Sequence, residues 1–309
     1  MLVTRGNAPR LDRPTAVTIG NFDGVHKGHQ AMLARLVAAA RPRNLVASVL
    51  TFEPHPREFF APAAAPTRLT SLREKLELLA AQGVAHVHVQ RFSRAFAALP
   101  AEDFVRRMLV EALKVRWLLV GDDFRFGARR AGDLALLERA APAHGFEIEA
   151  MPSVAIDEAR VSSSAVRDAL ARGDLARARV LLGRNYGISG RVVHGDKLGR
   201  TLGFATANVQ LKHNRPPLTG IFAVRVHGIG EAPRHGVASL GVRPTVKDDD
   251  RATLEVHLFD FSGDLYRRHL RVEFVQKIRD EEKYPDLEAL RAQIARDCDA
   301  ARAALAAAD

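Results

Sequence analysis

The stretch "GNFDGVHKGHQ", Gly20 to Gln30, sets His26 and His29 three residues apart, behind a Phe-Asp pair bracketed by glycines. It follows the apolar run "AVTI", and the helical stretch "GHQAMLARLVAAAR" begins inside it. Glycine lets backbone approach a ligand closely, and a helix N-terminus offers unpaired N–H groups and the positive end of the helix dipole. Histidines at that mouth are placed to donate hydrogen bonds to phosphate oxygens. Zinc would need a third and fourth ligand at recognisable spacing, and the chain has neither a second cysteine nor a His-Glu-x-x-His sequence. The chemistry that suits such a loop is nucleotidyl transfer. Donors and cations aimed at phosphate stabilise charge on the α-phosphoryl group and on the departing pyrophosphate. Gly20, Asn21, Phe22, Asp23 and Gly24 would complete the cradle.

Other stretches hold chemistry less openly. "VSSSAVRDAL" puts Ser162, Ser163 and Ser164 ahead of a helix with Arg167 one turn in; it reads as an ordinary helix cap or as a second phosphate cradle. "HGDKLGRTLG" alone is a hairpin loop. Glu255 in "LEVHLF" is, by pattern, the exposed half of an alternating strand. His86 and His88 in "VAHVHVQRF" alternate likewise, as sheet residues rather than ligands. No Walker sequence is present.

The elements that must position these residues come in two kinds. Up to about residue 183, apolar runs ("AVTI", "NLVASVLTF", "VAHVHVQRF", "VRWLLVG", "FEIEAMPSV") alternate with helical stretches ("SLREKLELLAAQG" with a Ser71/Glu74 capping box, "AEDFVRRMLVEALK", "GDLALLERAAPAHG"). Alternation of this kind predicts an α/β fold, a parallel sheet with right-handed crossovers whose ligands sit beyond the carboxyl ends of the strands. Two short helical pieces end near "LLGRNYG". From Ile188 the chain reads as short strands with turns, a barrel or a sandwich, closed by the helix "LEALRAQIARDCDAARAALAA". Domains of 1–183 and 184–309 are expected.

Bulk properties narrow the class. The 309 residues, 47% hydrophobic and 27% charged, fit a globular enzyme rather than a disordered chain. Cys298 is the single cysteine, so no internal disulfide forms, which suits a reducing cytoplasm. No apolar stretch nears the roughly 18 residues that span a bilayer, and "MLVTRGNAPR" lacks the core of a signal peptide, so a cytoplasmic protein without membrane association is expected. The net charge of +10 raises the question of nucleic acid. Up to Gly183 there are 26 Lys/Arg against 19 Asp/Glu, scattered rather than in blocks, and aromatics are only 6%. Those features argue against a base-stacking platform, and small anionic nucleotides are the expected partners.

The residues also carry a resemblance. "GNFDGVHKGH" resembles the GxFDGxHxGH signature of the nucleotidyltransferase superfamily. With "TFEPHP", "VGDDFRFG" and "VSSSAVR", in order and spacing, it is similar to the FMN adenylyltransferase module of bacterial bifunctional FAD-synthesising enzymes. The resemblance implies a Rossmann-like domain in which Gly20–Gly24, His26, His29, Ser162–Ser164 and Arg167 hold ATP, with the two histidines catalytic. Pro54, His55, Asp123 and Arg125 would face the flavin. Ser164 stands where that pattern has threonine, and the hydroxyl is kept.

"VVHGDKLGRTLGFATANVQL" resembles the signature of riboflavin kinase, and the match continues through "GIFAV", "SLGVRPTV", "LEVHLFDF" and "LYRRHLRVEFVQKIRDEEKY". It implies an antiparallel barrel whose glycine-rich flap (Gly195, Lys197, Gly199, Arg200, Gly203) covers ATP. Thr206 and Asn208 would hold Mg2+, Glu255 would act as the base and Arg279 would lie on the flavin side. Together the halves imply conversion of riboflavin to FMN and of FMN to FAD. The chain departs from the pattern at Ala205 and Asn185, both usually proline, at Arg267, usually glycine, and at Ser239, often asparagine. Oligomeric state is left open.

Overall fold

The computed structural model describes residues 1–6, 11–195, 203–211, 215–242 and 252–308. Lys197, Gly199 and Arg200 of the expected flap lie outside the described residues. The chain divides into two units, Met1–Pro66 with Lys75–Ser162, and Thr67–Glu74 with Ser163–Asp309.

The first unit is built on six parallel strands: β1 (Leu2–Gly6), β2 (Thr15–Ile19), β3 (Val46–Glu53), β4 (His86–Arg91), β5 (Val115–Gly121) and β6 (Glu147–Met151). Their order is β1-β4-β3-β2-β5-β6. Strand β2, buried along its whole length, has β3 on one side and β5 on the other, so the chain changes winding direction there. The carboxyl end of β2 is therefore the switch point of the sheet, where such folds leave a crevice. Helix α1 (Lys27–Ala40) follows it directly, burying Leu33, Leu36, Ala39 and Ala40. Short α2 (Pro56–Phe60) and α3 (Leu72–Ala81) come next, the latter opened by the expected box: Ser71 N–H to Glu74 Oε2, 2.6 Å, and Glu74 N–H to Ser71 Oγ, 3.4 Å.

The stretch expected as one helix after Pro100 is different. After α4 (Arg94–Ala97), α5 (Ala101–Asp103) runs into a π-helix over Phe104–Ala112, with Leu113 N–H bonded to Met108 C=O at 3.1 Å. Its buried residues fall four apart (Phe104, Met108, Ala112; Val105, Leu109), a spacing that the wider i→i−5 turn brings onto one face. That face packs in the core with Val17, Ile19, Leu118 and Val120. Helix α6 (Leu134–His144) is capped by Asp133 and ends at Gly145 in the left-handed region. A small hairpin, β7 (Ala155–Ile156) and β8 (Ala159–Arg160), closes the unit.

In the second unit, α7 (Ser163–Ala171) and α8 (Leu175–Leu182) precede a closed antiparallel barrel. Its strands are β9 (Gly187–Val193), β10 (Thr206–Val209), β11 (Gly220–His227), β12 (Arg234–Val242), β13 (Ala252–Leu258) and β14 (His269–Arg279), ordered β10-β13-β12-β11-β14-β9. The sequence pattern allowed a barrel or a sandwich; pairing of β9 with β10 closes it. Val209, Phe222, Leu240, Leu254, Val256 and Phe274 are buried. Helix α9 (Leu287–Ala306) lays Cys298, Ala301 and Leu305 against Ala223, Val237 and Phe259 on the barrel's outer face. Thr67–Glu74 is bound into this unit. Tyr186 OH donates to Leu69 C=O at 3.0 Å, Ser189 N–H donates to Glu74 Oε1 at 2.5 Å, and Arg167 Nε donates to Thr67 C=O.

Candidate active sites

At the switch point the chain leaves β2 through Gly20, whose N–H bonds Leu50 C=O at 3.1 Å. It then turns sharply: Phe22, Gly24 and Val25 all have positive φ (49°, 80° and 41°). Phe22 and Val25 are buried, so packing holds these two side chains in a conformation they adopt reluctantly. The turn delivers His26 as N-cap of α1, its Nδ1 accepting from His29 N–H at 3.3 Å. A neutral His26 therefore carries its hydrogen on Nε2. His29 stacks on His26 with centroids 3.7 Å apart, and the Phe22 ring is tilted against His29 with centroids 5.0 Å apart. Burial, then His26, then Lys75 hold the His29 pKa well below its ordinary value, so the ring is neutral near pH 7. Its Nδ1 and the Oδ1 of Asn21 are buried with no hydrogen-bond partner. Buried orphans of this kind are rare, and these two lie in one loop.

Other expected residues of this unit can be placed. Gly28 leaves room for the His26 ring, which a Cβ there would approach to 3.2 Å; Val161 C=O, just before Ser162, would lie at an ordinary contact distance of 3.6 Å. Pro54 follows β3 through a cis peptide bond. His55 caps α2, its Nδ1 accepting from Arg57 N–H at 3.1 Å. Asp123 is ion-paired with Arg160 at 2.7 Å, and exposed Arg125 donates to Phe124 C=O. Ser163, Ser164 and Arg167 stand at the start of α7, in the second unit.

Sequence reasoning missed two features here. Lys75 is buried and acts electrostatically on His29. A chain of ring contacts also runs from Phe59 and Phe60 through Phe92, Phe96 and Phe104 to Phe126 and Phe124. It joins the "TFEPHP" and "VGDDFRFG" stretches, and Phe60 is 67% exposed at its end. The phenylalanines come from distant segments, so only the fold aligns them.

In the barrel, register decides. Asn208 lies opposite Glu255, Glu255 opposite Ser239, Ser239 opposite Ile221, and Ile221 opposite Arg279. Directly paired residues share a face, so these five form one row across the outer wall. Thr206, two residues before Asn208, shares that face. Most of the row lines a cavity of about 250 Å³ with Thr206, His257, Glu281, Tyr284 and Asp297. Asp297 of α9 receives two hydrogen bonds from Arg279, Nε at 2.8 Å and Nη2 at 2.7 Å. Gly195 permits the Asn208 position: a Cβ there would stand 2.3 Å from the Asn208 amide. Gly203 has φ of 89°. Thr206 also borders a second cavity of about 470 Å³, walled by Val192, Leu258, Phe261, Leu265 and Tyr266, which sequence reasoning missed.

A glycine turn with two histidines on a parallel sheet, and a row with a carboxylate and two neutral oxygens on a barrel wall, are two candidate sites whose chemistry suits phosphotransfer. Comparison with known proteins agrees. Residues 8–165 match the FAD synthetase family and residues 182–305 the riboflavin kinase family. The bifunctional riboflavin kinase/FMN adenylyltransferase of Escherichia coli K12 is 53% identical over 91% of this chain and 90% of its own length. That of Haemophilus influenzae is 46% identical over 98% and 99%. The crystal structure of a macrolide-efflux protein from Streptococcus pneumoniae superposes with a TM-score of 0.82 at 29% identity, covering 96% of this chain and 97% of that one. Among the described residues no helix is long and apolar enough to cross a membrane. The chain belongs to the family of bifunctional riboflavin kinases/FMN adenylyltransferases.

Proposed function

We propose that residues 1–183 carry the adenylyl transfer and residues 184–309 the phosphorylation, with the residues named above in the following roles. In the first, the Gly20–His29 turn holds the ATP triphosphate at the N-terminus of α1. A phosphate oxygen of FMN attacks the α-phosphorus, the bond to the bridging oxygen of pyrophosphate breaks, and FAD forms. His26 Nε2–H and neutral His29 donate to oxygens gaining charge, and the positive charge of Lys75 offsets the negative charge of the departing pyrophosphate. Ser162, the last residue of this unit, serves as a further phosphate donor. The phenylalanine chain between Pro54–His55 and Asp123–Arg125 offers an aromatic surface for the flavin ring. The buried, unpartnered Nδ1 of His29, a donor in one of the two neutral tautomers, is the observation that favours it.

In the second, Glu255 accepts the proton of the ribityl 5′-hydroxyl as that oxygen attacks the γ-phosphorus and ADP leaves. Arg279, fixed by Asp297, orients riboflavin. The apolar second cavity, which meets the first at Thr206, suits the base of the nucleotide. Thr206 and Asn208 fit Mg2+: neutral oxygens, one face, and an amide position that Gly195 leaves open. Bound there with the nucleotide, the ion would neutralise charge on the phosphates. Gly203 and the flap with Lys197, Gly199 and Arg200 would cover the nucleotide. The cytoplasm is the proposed location. Incubation of the full chain with riboflavin and Mg-ATP, reading FMN and FAD separately, should show FMN appearing first and FAD after it. Absence of either product overturns the corresponding half.

A further inference from the structure

Ala205 occupies the position before Thr206, where the resemblance puts proline. Proline would fix φ near −65° just ahead of the two oxygen ligands; alanine leaves that choice to the surrounding structure. The surroundings make it. His257 Nδ1 lies 2.9 Å from the Ala205 carbonyl oxygen. A carbonyl has no hydrogen to give, so Nδ1 is the donor. The imidazole is held on edge by Phe204, at 5.4 Å and 86°, and by Phe259, at 6.0 Å and 72°. Thr206 is the residue directly opposite His257 in the β10–β13 ladder, and Glu255 is two residues earlier on the same face. One ring thus ties the turn before β10 to the strand that carries the base. Ala205 itself has negative φ, and among the described residues its N–H makes no backbone hydrogen bond.

We infer that His257 is a positioning residue of the kinase reaction: its hydrogen bond to Ala205 supplies the restraint that proline would give, and so presents Thr206 to Mg-ATP. The role rests on the reading of Thr206 as a ligand of the nucleotide-bound cation. His257 acts through the backbone and takes no proton from substrate.

The test is steady-state kinase kinetics on the full chain. His257→Phe keeps a ring between Phe204 and Phe259 but has no donor. It should raise the KM for Mg-ATP about three- to tenfold, the scale of one lost hydrogen bond, and move the KM for riboflavin by less than about twofold. His257→Asn, whose amide nitrogen can take the place of Nδ1, should return most of the loss. Ala205→Pro should lower the Mg-ATP KM by a larger factor in the His257→Phe background than in the parent, because only there is the turn unrestrained. A parental Mg-ATP KM in His257→Phe overturns the inference, as does an equal factor for Ala205→Pro in both backgrounds. Thr206→Val separates the two levels. A parental Mg-ATP KM in that variant overturns the reading of Thr206; a raised KM there beside a parental one in His257→Phe overturns only the role of His257.

Discussion

Arg279 and Asp297 meet face to face, guanidinium Nε and Nη2 on the two carboxylate oxygens at 2.8 and 2.7 Å, with Asp297 only 4% exposed. Gln293 adds a third donor to Asp297 at 2.8 Å, and the ring of Tyr284 lies 5.7 Å from the guanidinium. A two-bond pair of this kind, partly buried, fixes orientation as well as charge. Lysine cannot span both oxygens. Arg279→Lys is expected to raise the KM for riboflavin about tenfold, with the KM for Mg-ATP nearly unchanged, since one charge-assisted hydrogen bond to Asp297, roughly 1.5 kcal/mol, is lost and the side chain proposed to orient riboflavin is no longer held in place. Titrating each substrate in turn checks it.

His29→Ala removes a donor whose ring is buried against His26. FAD formation from FMN should fall by about 10²–10³, the scale for one transition-state donor. FMN formation from riboflavin should persist. Equal loss of both activities would contradict separate sites.

Glu255→Gln keeps size and hydrogen bonding but cannot take up the hydroxyl proton. Riboflavin phosphorylation should drop by about 10²–10⁴, with adenylylation of supplied FMN intact. Unimpaired FMN synthesis by this variant would remove Glu255 as the base.

Arg267 has φ of 66°, in the left-handed region where a side chain costs about 1–2 kcal/mol and glycine costs none. Glycine gives some of that back through the freedom of its unfolded chain, about 0.5–1 kcal/mol. The N–H to Val192 C=O bond, 3.0 Å, survives the change. Arg267→Gly should stabilise the barrel by about 0.5–1 kcal/mol, read from the shift of its denaturant midpoint.

His86, 1% exposed, sits between Ser48 Oγ at 3.2 Å and Thr4 Oγ1 at 2.9 Å, and the same Thr4 oxygen meets His88 Nδ1 at 2.9 Å. Burial, and next the neighbouring His88, push the His86 pKa down to about 4. Between that value and the unfolded one, near 6.5, the unfolded chain binds the extra proton. The stabilising contribution is whole above about 6.5 and declines as pH falls toward 4, by about 1.4 kcal/mol per pH unit for this group. His86→Gln should flatten the decline. Unfolding midpoints of parent and variant at pH 7 and pH 5 measure it; parallel losses in the two proteins would clear His86 of the effect.

How much the sequence disclosed depended on whether a feature was local. Strand β2 and helix α1 were legible because apolar period and cap lie in one window, and so was the Ser71–Glu74 box. Strand β1 was not: its half-exposed residues have no strong alternation, and only pairing with β4 makes it a strand. The π-helix escaped because a helical pattern does not reveal which hydrogen-bond ring closes. At the sites, the His26–His29 pair could be read from spacing. Lys75, the phenylalanine chain, and the row from Asn208 to Arg279 are products of tertiary alignment, invisible until register is known.

The segment Thr67–Glu74 makes the second unit discontinuous along the chain. Its members accept hydrogen bonds from Tyr186 and Ser189, groups that stand at the entrance to the barrel's first strand. A fragment beginning at residue 184 would therefore start life with a tyrosine hydroxyl and a backbone amide stripped of their acceptors, about 1–3 kcal/mol for each that stays buried. The halves of this enzyme are separable as chemistry but not by a single cut. A gene encoding the kinase alone would have to carry an eight-residue graft from the other half, or evolve a replacement for Leu69 and Glu74 first.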